Sequence, residues 1–279
     1  MGALIWLASY PKSGNTWLRS FLCNLLIDTP EPADINKLAN FCLGESLRGW
    51  YEPHATAPLE TLSAAALARL RPIGQAGMTN AFADSVFVKT HNYLGSWAGT
   101  PLHNMSVTAG GIYVLRNPLD VALSAHHHFN LTLDDTIAMM ARPSAGTLLS
   151  ATNIPEVYTD WSGHVRSWTA QPNPQLLVMR YEDLAADPLK HFGIVASFLG
   201  LQVSDERLGR AVMHSSFAAL KKQEQEKGFL ERPENAKSFF REGRAEQWRD
   251  ALTPDQVRRI VGDHRVQMQR FGYIPPDYA

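Results

Sequence analysis

The residues best equipped for chemistry stand near the start of the chain. In Tyr10-Pro11-Lys12-Ser13-Gly14-Asn15-Thr16-Trp17 a cation and two hydroxyls surround a glycine, and an apolar periodic segment follows at once. A strand, a tight turn and a helix start in that order can hold an anion. The unpaired N–H groups of the first helical turn face the loop, together with the positive end of the helix dipole. Two further positions carry groups of use to the same ligand. Arg116 ends an apolar run just before Asn117-Pro118, so it is delivered to a second helix start, and His91 follows the run 85–90 directly. In open α/β sheets ligands bind just outside the carboxyl ends of strands, and an imidazole there titrates close to working pH.

The loop is not that of the common nucleoside triphosphate site. That loop reads G-x-x-x-x-G-K-[ST], and the hydroxyl after its Lys holds magnesium. Here Lys12 precedes Gly14, and no glycine stands five residues upstream of Gly14.

Periodicity supplies the elements that must position these groups. Residues 3–9 read as a buried strand, and Asn15 to about Asp28 as a helix with Leu18, Phe21, Leu22, Leu25 and Leu26 on its apolar face. A helix over 58–70, a loop over 74–83 and a strand over 85–90 follow. The run 111–116 is a third strand. Asn117 then caps a helix that has Pro118 in first position, Asp120 in its first turn and Phe129 near its end. Helices over 133–141 and 158–170, a strand over 175–180, helices over 188–199 and 205–213, and a last helix opening on Thr253-Pro254-Asp255 complete the reading. Residues 221–246 are the most charged stretch and read as a lid-like segment. Four strands alternating with helices imply an α/β fold, a parallel sheet covered on both faces, in one domain over 1–279.

A content of 45% hydrophobic and 19% charged residues over 279 positions suits a globule with a substantial core. The formal net charge of -1 gives no reason to expect a nucleic acid or an anionic membrane as main partner, so an anion site rests on locally placed Arg and Lys. Cys23 and Cys42 are the only cysteines, which fits a reduced compartment, and their spacing suggests no metal. No leader pattern and no run of membrane-span length is present, so a cytoplasmic protein without a membrane span is expected.

The octet Tyr10 to Trp17 resembles the 5′-phosphosulfate loop of sulfotransferases that use 3′-phosphoadenosine 5′-phosphosulfate (PAPS). Further segments extend the resemblance across residues 10–248. Lys89-Thr90-His91 looks like the family's Lys-Thr-His, and the stretch from Tyr113 through Arg116 to Ser124 looks like its 3′-phosphate motif. Arg180-Tyr181-Glu182-Asp183, His214-Ser215-Ser216-Phe217 and Phe240-Arg241-Glu242-Gly243, with Trp248 beyond, match later motifs. The resemblance implies that Arg116, Ser124, Arg241 and the Gly243 backbone hold the 3′-phosphate. It implies that Trp17 stacks on adenine beside Tyr181, Ser215 and Phe217. Lys12 and the N–H groups of Ser13, Gly14, Asn15, Thr16 and Trp17 would hold the 5′-phosphosulfate.

The implied reaction is direct in-line transfer of a sulfuryl group to a hydroxyl of a small organic acceptor, leaving 3′-phosphoadenosine 5′-phosphate (PAP), with no metal required. His91 would be the general base, Lys12 would stabilise the departing bridging oxygen, and Lys89 would assist. Trp50, Tyr51, Tyr93, Phe129 and Phe229 suggest an aromatic acceptor pocket. Successive positions of His126-His127-His128 lie about 100° apart on a helix and cannot converge on one ion, so one or two of them are placed at the acceptor. The acceptor itself and the oligomeric state stay open.

Read without the family, Arg116 is a strand-end ion-pair residue first, Tyr181 equally a helix start, and His91 a surface or satisfied imidazole. A P-loop nucleotide kinase or NTPase, or a nucleotide-binding module without catalysis, are the rival functions. Three departures stand out. Glu242 occupies the place of a usual Lys, Glu246-Gln247 replaces a usual Gly-Asp, and the Lys-Thr-Val dimer segment of animal enzymes is not recognisable.

Overall fold

A computed structural model describes residues 2–233 and 236–279. The chain runs β1 (Ala3–Ser9), α1 (Asn15–Ile27), α2 (Leu38–Phe41), β2 (Cys42–Gly44), α3 (Ala64–Met78), β3 (Ser85–Thr90), β4 (Ser96–Trp97), β5 (Thr100–Pro101) and β6 (Thr108–Leu115). It continues through α4 (Pro118–Phe129), α5 (Leu133–Met140), α6 (Trp161–Thr169), β7 (Leu176–Arg180), α7 (Tyr181–Ala186), α8 (Pro188–Phe198), α9 (Asp205–His214), α10 (Phe217–Lys227), α11 (Trp248–Ala251) and α12 (Pro254–Arg270). Contacts group these residues into two compact units. The first joins Met1–Tyr10, Cys42–Tyr113 and Met139–Val178, and the second joins Pro11–Phe41, Val114–Ala138 and Met179–Ala279.

The sheet has the strand order β2-β3-β1-β6-β7. β1 pairs parallel with β3, from Ala3 opposite Ser85 to Ala8 opposite Thr90, and β2 pairs parallel with β3. Leu4, Trp6, Leu7 and Ala8 of β1 and Ile112 to Leu115 of β6 are buried whichever way they point, as strands covered on both faces must be. The sheet is therefore the α/β sheet expected, with five strands instead of four. β2 escapes a sequence reading because three residues carry no periodicity.

In the first unit, α3 lies further along the chain than its apolar spacing suggests. Ser63 accepts the Ala66 N–H and starts the helix, which continues through residues expected to form a loop. A Cβ on Gly74 would come within 2.6 Å of the Tyr51 ring, so this glycine serves close packing and not a turn. Tyr51 itself is core, not pocket lining. Its hydroxyl donates to Glu45 at the centre of a buried network, where Arg71 pairs with Glu45 and the Asn92 Nδ2 donates to Glu45 Oε2 at 2.7 Å. Removing one partner of such a pair costs about 3–5 kcal/mol. The helix expected from residue 158 starts at Trp161, because the Asp160 carboxylate accepts the Gly163 N–H at 2.7 Å and so caps it there.

In the second unit, α1 forms where expected and buries Leu18, Phe21, Leu22 and Leu25, whereas Leu26, expected on the same face, is exposed. α10 falls partly within the lid-like segment 221–246, of which residues 234 and 235 lie outside the described residues. Phe229 packs in a core with Ile35, Leu220 and Phe240. Among the described residues no helix is long and apolar enough to cross a membrane.

Candidate active site

The second unit collects all the residues expected to hold the nucleotide. Gly14 caps α1 from the left-handed region, at φ 108, and offers no side-chain cap. Lys12 is left-handed too, at φ 69. Alternating handedness turns successive N–H groups into one concavity, a nest for an anion. The glycine is required twice over, since a Cβ at position 14 would meet Tyr181 Cδ2 at 2.8 Å. The Trp17 and Leu18 N–H groups both donate to the Gly14 carbonyl at 3.1 Å, so the nest falls to the residues before Trp17. Ser13 is fully buried and its Oγ has no hydrogen-bond partner.

Arg116 is buried too. It donates over 3.3 Å to the Lys12 carbonyl and over 3.4 Å to the Arg244 carbonyl, and its guanidinium lies 4.3 Å from the centre of the Tyr181 ring. Its Nε has no partner. Arg241 is held below the usual guanidinium range by burial, with Glu242 opposing and the charge of Arg116 adding to the effect. A buried guanidinium whose Nε is orphaned between long bonds to neutral carbonyls, beside a second whose charged form burial disfavours, can receive a dianion.

The 3′-phosphate motif is clamped from behind. Glu182 accepts the Asn117 N–H at 2.8 Å and the Tyr273 hydroxyl at 2.7 Å, while the Asn117 side chain caps α4 by accepting the Leu119 N–H. Asp120, expected only to suit a first helical turn, accepts the N–H groups of Glu246 at 2.7 Å and Trp248 at 3.1 Å. That contact fixes the late segment. Glu246 stands at φ 61, in the left-handed region that a glycine takes without strain. Glu242 is engaged by Arg244 at 3.0 Å and lies 3.9 Å from Arg241, so its charge is met mainly by a neighbour that was not part of the motif. At Gly243, φ 66, a Cβ would collide with the Phe217 ring.

Trp17 meets the Tyr181 ring edge-on at 5.6 Å and the Phe192 ring at 5.2 Å. The Ser215 hydroxyl donates to the Ala211 carbonyl at 2.8 Å, which leaves its oxygen only lone pairs to offer. Ser124 is half-buried on α4.

Several participants escaped the sequence. The Lys12 ammonium lies 3.3 Å from His128 Nδ1 and 4.1 Å from the centre of the Phe239 ring. Of the three histidines, then, His128 meets Lys12, His126 Nδ1 contacts the Leu131 carbonyl, and His127 is exposed. Arg19 donates to Thr16 Oγ1 at 3.2 Å and makes a two-pronged pair with Glu231. Buried Glu224 accepts the Phe239 and Phe240 N–H groups at 2.7 and 2.9 Å. None of these has a local pattern that could have revealed it.

The first unit carries His91 and Lys89. His91 Nδ1 lies 2.8 Å from the Ser9 carbonyl oxygen, with Ser9 Oγ at 3.3 Å. A carbonyl can only accept, so Nδ1 bears the hydrogen and Nε2 of the neutral ring keeps its lone pair. Lys89 draws the Glu156 carboxyl down against the larger upward effect of burial. Among the described residues no group of three or more His, Cys, Asp or Glu could hold a metal.

A family model described as the sulfotransferase domain matches residues 4–272. The chain belongs to the sulfotransferase family. This sulfotransferase is 24% identical over 279 residues to sulfotransferase 1A1 of Canis lupus familiaris, covering 95% of this chain and 83% of the relative. It is 26% identical over 265 residues to cytosolic sulfotransferase 14 of Arabidopsis thaliana, covering 91% and 72%. Its fold is that of retinol dehydratase, solved with androsterone and PAP, at a TM-score of 0.66 and 22% identity over 95% of this chain and 80% of that one. Mouse sulfotransferase SULT7A1, solved with PAP, gives 0.62 and 21% over 96% and 84%. As a member of the family the chain is an enzyme of sulfuryl transfer, with PAPS as donor. The residues of this sulfotransferase suit that donor: the buried Ser13 Oγ and Arg116 Nε await acceptors, and Gly14 leaves open the cradle that a Cβ would fill.

Proposed function

We propose that this sulfotransferase transfers the sulfuryl group of PAPS directly to a hydroxyl of a small organic acceptor, with His91 as general base. PAPS, when bound, supplies the activated sulfuryl group. Arg116 and Arg241, with Ser124 and the Gly243 backbone, take the 3′-phosphate. Ser13, Gly14, Asn15 and Thr16 offer the nest to the 5′ end, and Trp17, Tyr181, Ser215 and Phe217 surround the base. Lys12 meets negative charge as it develops on the departing oxygen, and Lys89 assists. His91 accepts the acceptor's proton at Nε2, because Nδ1 is committed to Ser9, from which the chain runs directly into Tyr10, Pro11 and Lys12. The observation that carries the reading is Arg116, buried with Nε unpartnered and depressing Arg241.

An apolar alcohol as acceptor is supported by the complexes of retinol dehydratase with androsterone and with retinol. Both compact units are assembled from three separate stretches of chain, and one family model runs through them all, which supports a single domain over 1–279. The cytosolic plant relative supports a cytoplasmic protein.

Calorimetric titration with PAP, AMP and ATP in the absence of magnesium tests the reading. PAP is expected to bind far more tightly than AMP, and Arg116→Ala to remove that preference, a loss of about 2–4 kcal/mol for charge-assisted bonds to one phosphate. Equal binding of ATP, or binding that requires magnesium, would return the function to a nucleotide kinase.

A further inference from the structure

His164 is fully buried in α6 and belongs to no motif that the function absorbs. Its ring makes two polar contacts. Nε2 lies 3.1 Å from the His91 carbonyl oxygen, and Nδ1 lies 2.9 Å from the Tyr113 hydroxyl. Because the carbonyl only accepts, Nε2 carries the hydrogen. Burial pushes the imidazole down to about 3, so the ring is neutral at working pH and Nδ1 accepts from the Tyr113 hydroxyl. A directed chain results: Tyr113 donates to His164, and His164 donates to the backbone of His91. Tyr113 also stacks on the His164 ring at 5.7 Å and 26°, and Tyr10 meets that ring edge-on at 5.4 Å, so the imidazole cannot turn away.

The position of the His91 side chain depends on that carbonyl. His91 stands just past the last residue of β3, and its carbonyl is the acceptor that His164 meets. The next residue is held as well: Asn92 bonds Glu45 through its side chain, and its carbonyl accepts the Trp168 indole N–H at 3.1 Å. With the peptide held on both sides, the His91 ring is presented to the Ser9 carbonyl.

We propose that His164 is a positioning residue for catalysis: its Nε2–H holds the His91 carbonyl, and so keeps the His91 ring in the tautomer whose Nε2 accepts the proton. The inference rests on His91 being the base. It concerns the alignment supplied by a second, fully buried imidazole.

Three variants test it, each with its PAP affinity measured first by calorimetry to show that the protein is folded and loads nucleotide. His164→Phe keeps a ring and loses the donor, His164→Gln keeps a donor near the position of Nε2, and Tyr113→Phe removes one hydroxyl and leaves the packing in place. Turnover is measured with an acceptor that the wild type sulfates, and the His91 ring nitrogens are followed by NMR. The expected result for His164→Phe is a 10- to 100-fold fall in kcat, unchanged KM for PAPS, and a His91 signal that changes from one tautomer to a mixture. His164→Gln should recover most of the kcat and the single tautomer. Tyr113→Phe should lower kcat severalfold.

Wild-type kcat and a single His91 tautomer in His164→Phe would overturn the proposal. So would a failure of His164→Gln to improve on His164→Phe while PAP affinity is intact. His91→Ala separates this from the base assignment: full activity there removes the base itself, whereas inactivity there with normal His164→Phe removes only the positioning role.

Discussion

The anion cradle and the surroundings of His91 are built on opposite terms. Around Arg116 and Ser13 the chain holds buried donors that it leaves unmatched, and burial, with the Arg116 charge adding to it, holds Arg241 below the usual guanidinium range. Around His91 the imidazoles are oriented by carbonyls and a hydroxyl: Nδ1 of His91 on Ser9, Nε2 of His164 on His91, and Nδ1 of His164 under Tyr113. The first arrangement is completed by a ligand and the second by the protein. An anion site needs donors kept in reserve, since a donor already bonded gains little from a phosphate. A proton-accepting site needs one nitrogen committed so that the other is available.

The most deeply depressed imidazoles lie in the first unit. The imidazoles of His103 and His164 are pushed from 6.5 down to about 3, in both cases chiefly by burial. A base whose folded value is depressed takes up protons more readily unfolded, so its contribution is present above pH 6.5 and is lost as the pH falls toward 3. Urea unfolding between pH 6.5 and 4.5 should therefore show stability falling by up to about 1.4 kcal/mol per pH unit for each imidazole. His103, both of whose ring nitrogens lack hydrogen-bond partners, is the one to remove: His103→Phe should reduce the slope, and an unchanged slope would break this side of the comparison.

Gly14→Ala should sharpen the other side. It forces a side chain into φ 108 and into contact with Tyr181. A loss of about 1–3 kcal/mol of stability is expected, with PAP binding in calorimetry weakened at least 100-fold because the nest itself is displaced. Retained PAP affinity would mean that the α1 terminus does not bind the anion.

Asn117→Ala is the matched change at the helix terminus that the protein caps for itself. It should lower stability by about 1 kcal/mol, a fall of about 2–4 °C in Tm, and leave PAP affinity near wild type. An equal loss of affinity in the two variants would erase the distinction between a reserved terminus and a satisfied one. Glu246→Gly should have the smallest effect. Releasing φ 61 from a side chain is expected to raise stability by about 0.5–1 kcal/mol in thermal unfolding, with the Asp120 contact intact.

What was legible in the sequence is local. The strand, turn and helix from Ala3 to Ile27 follow from an apolar run, a Pro-Lys-Ser-Gly turn and a periodic face, all contained within a few neighbouring residues. The delivery of Arg116 follows in the same way from an apolar strand and an Asn-Pro helix start. What the sequence could not determine is where side chains distant in the chain end up. That Asp120 grips Glu246 and Trp248, that Glu224 arranges Phe239 and Phe240, that His128 and Phe239 meet Lys12, and that Tyr51 and Phe229 are core were decided by tertiary packing. Local patterns record which groups are close along the chain, whereas a carboxylate or an imidazole finds its partner through contacts between segments whose separation leaves no mark in either.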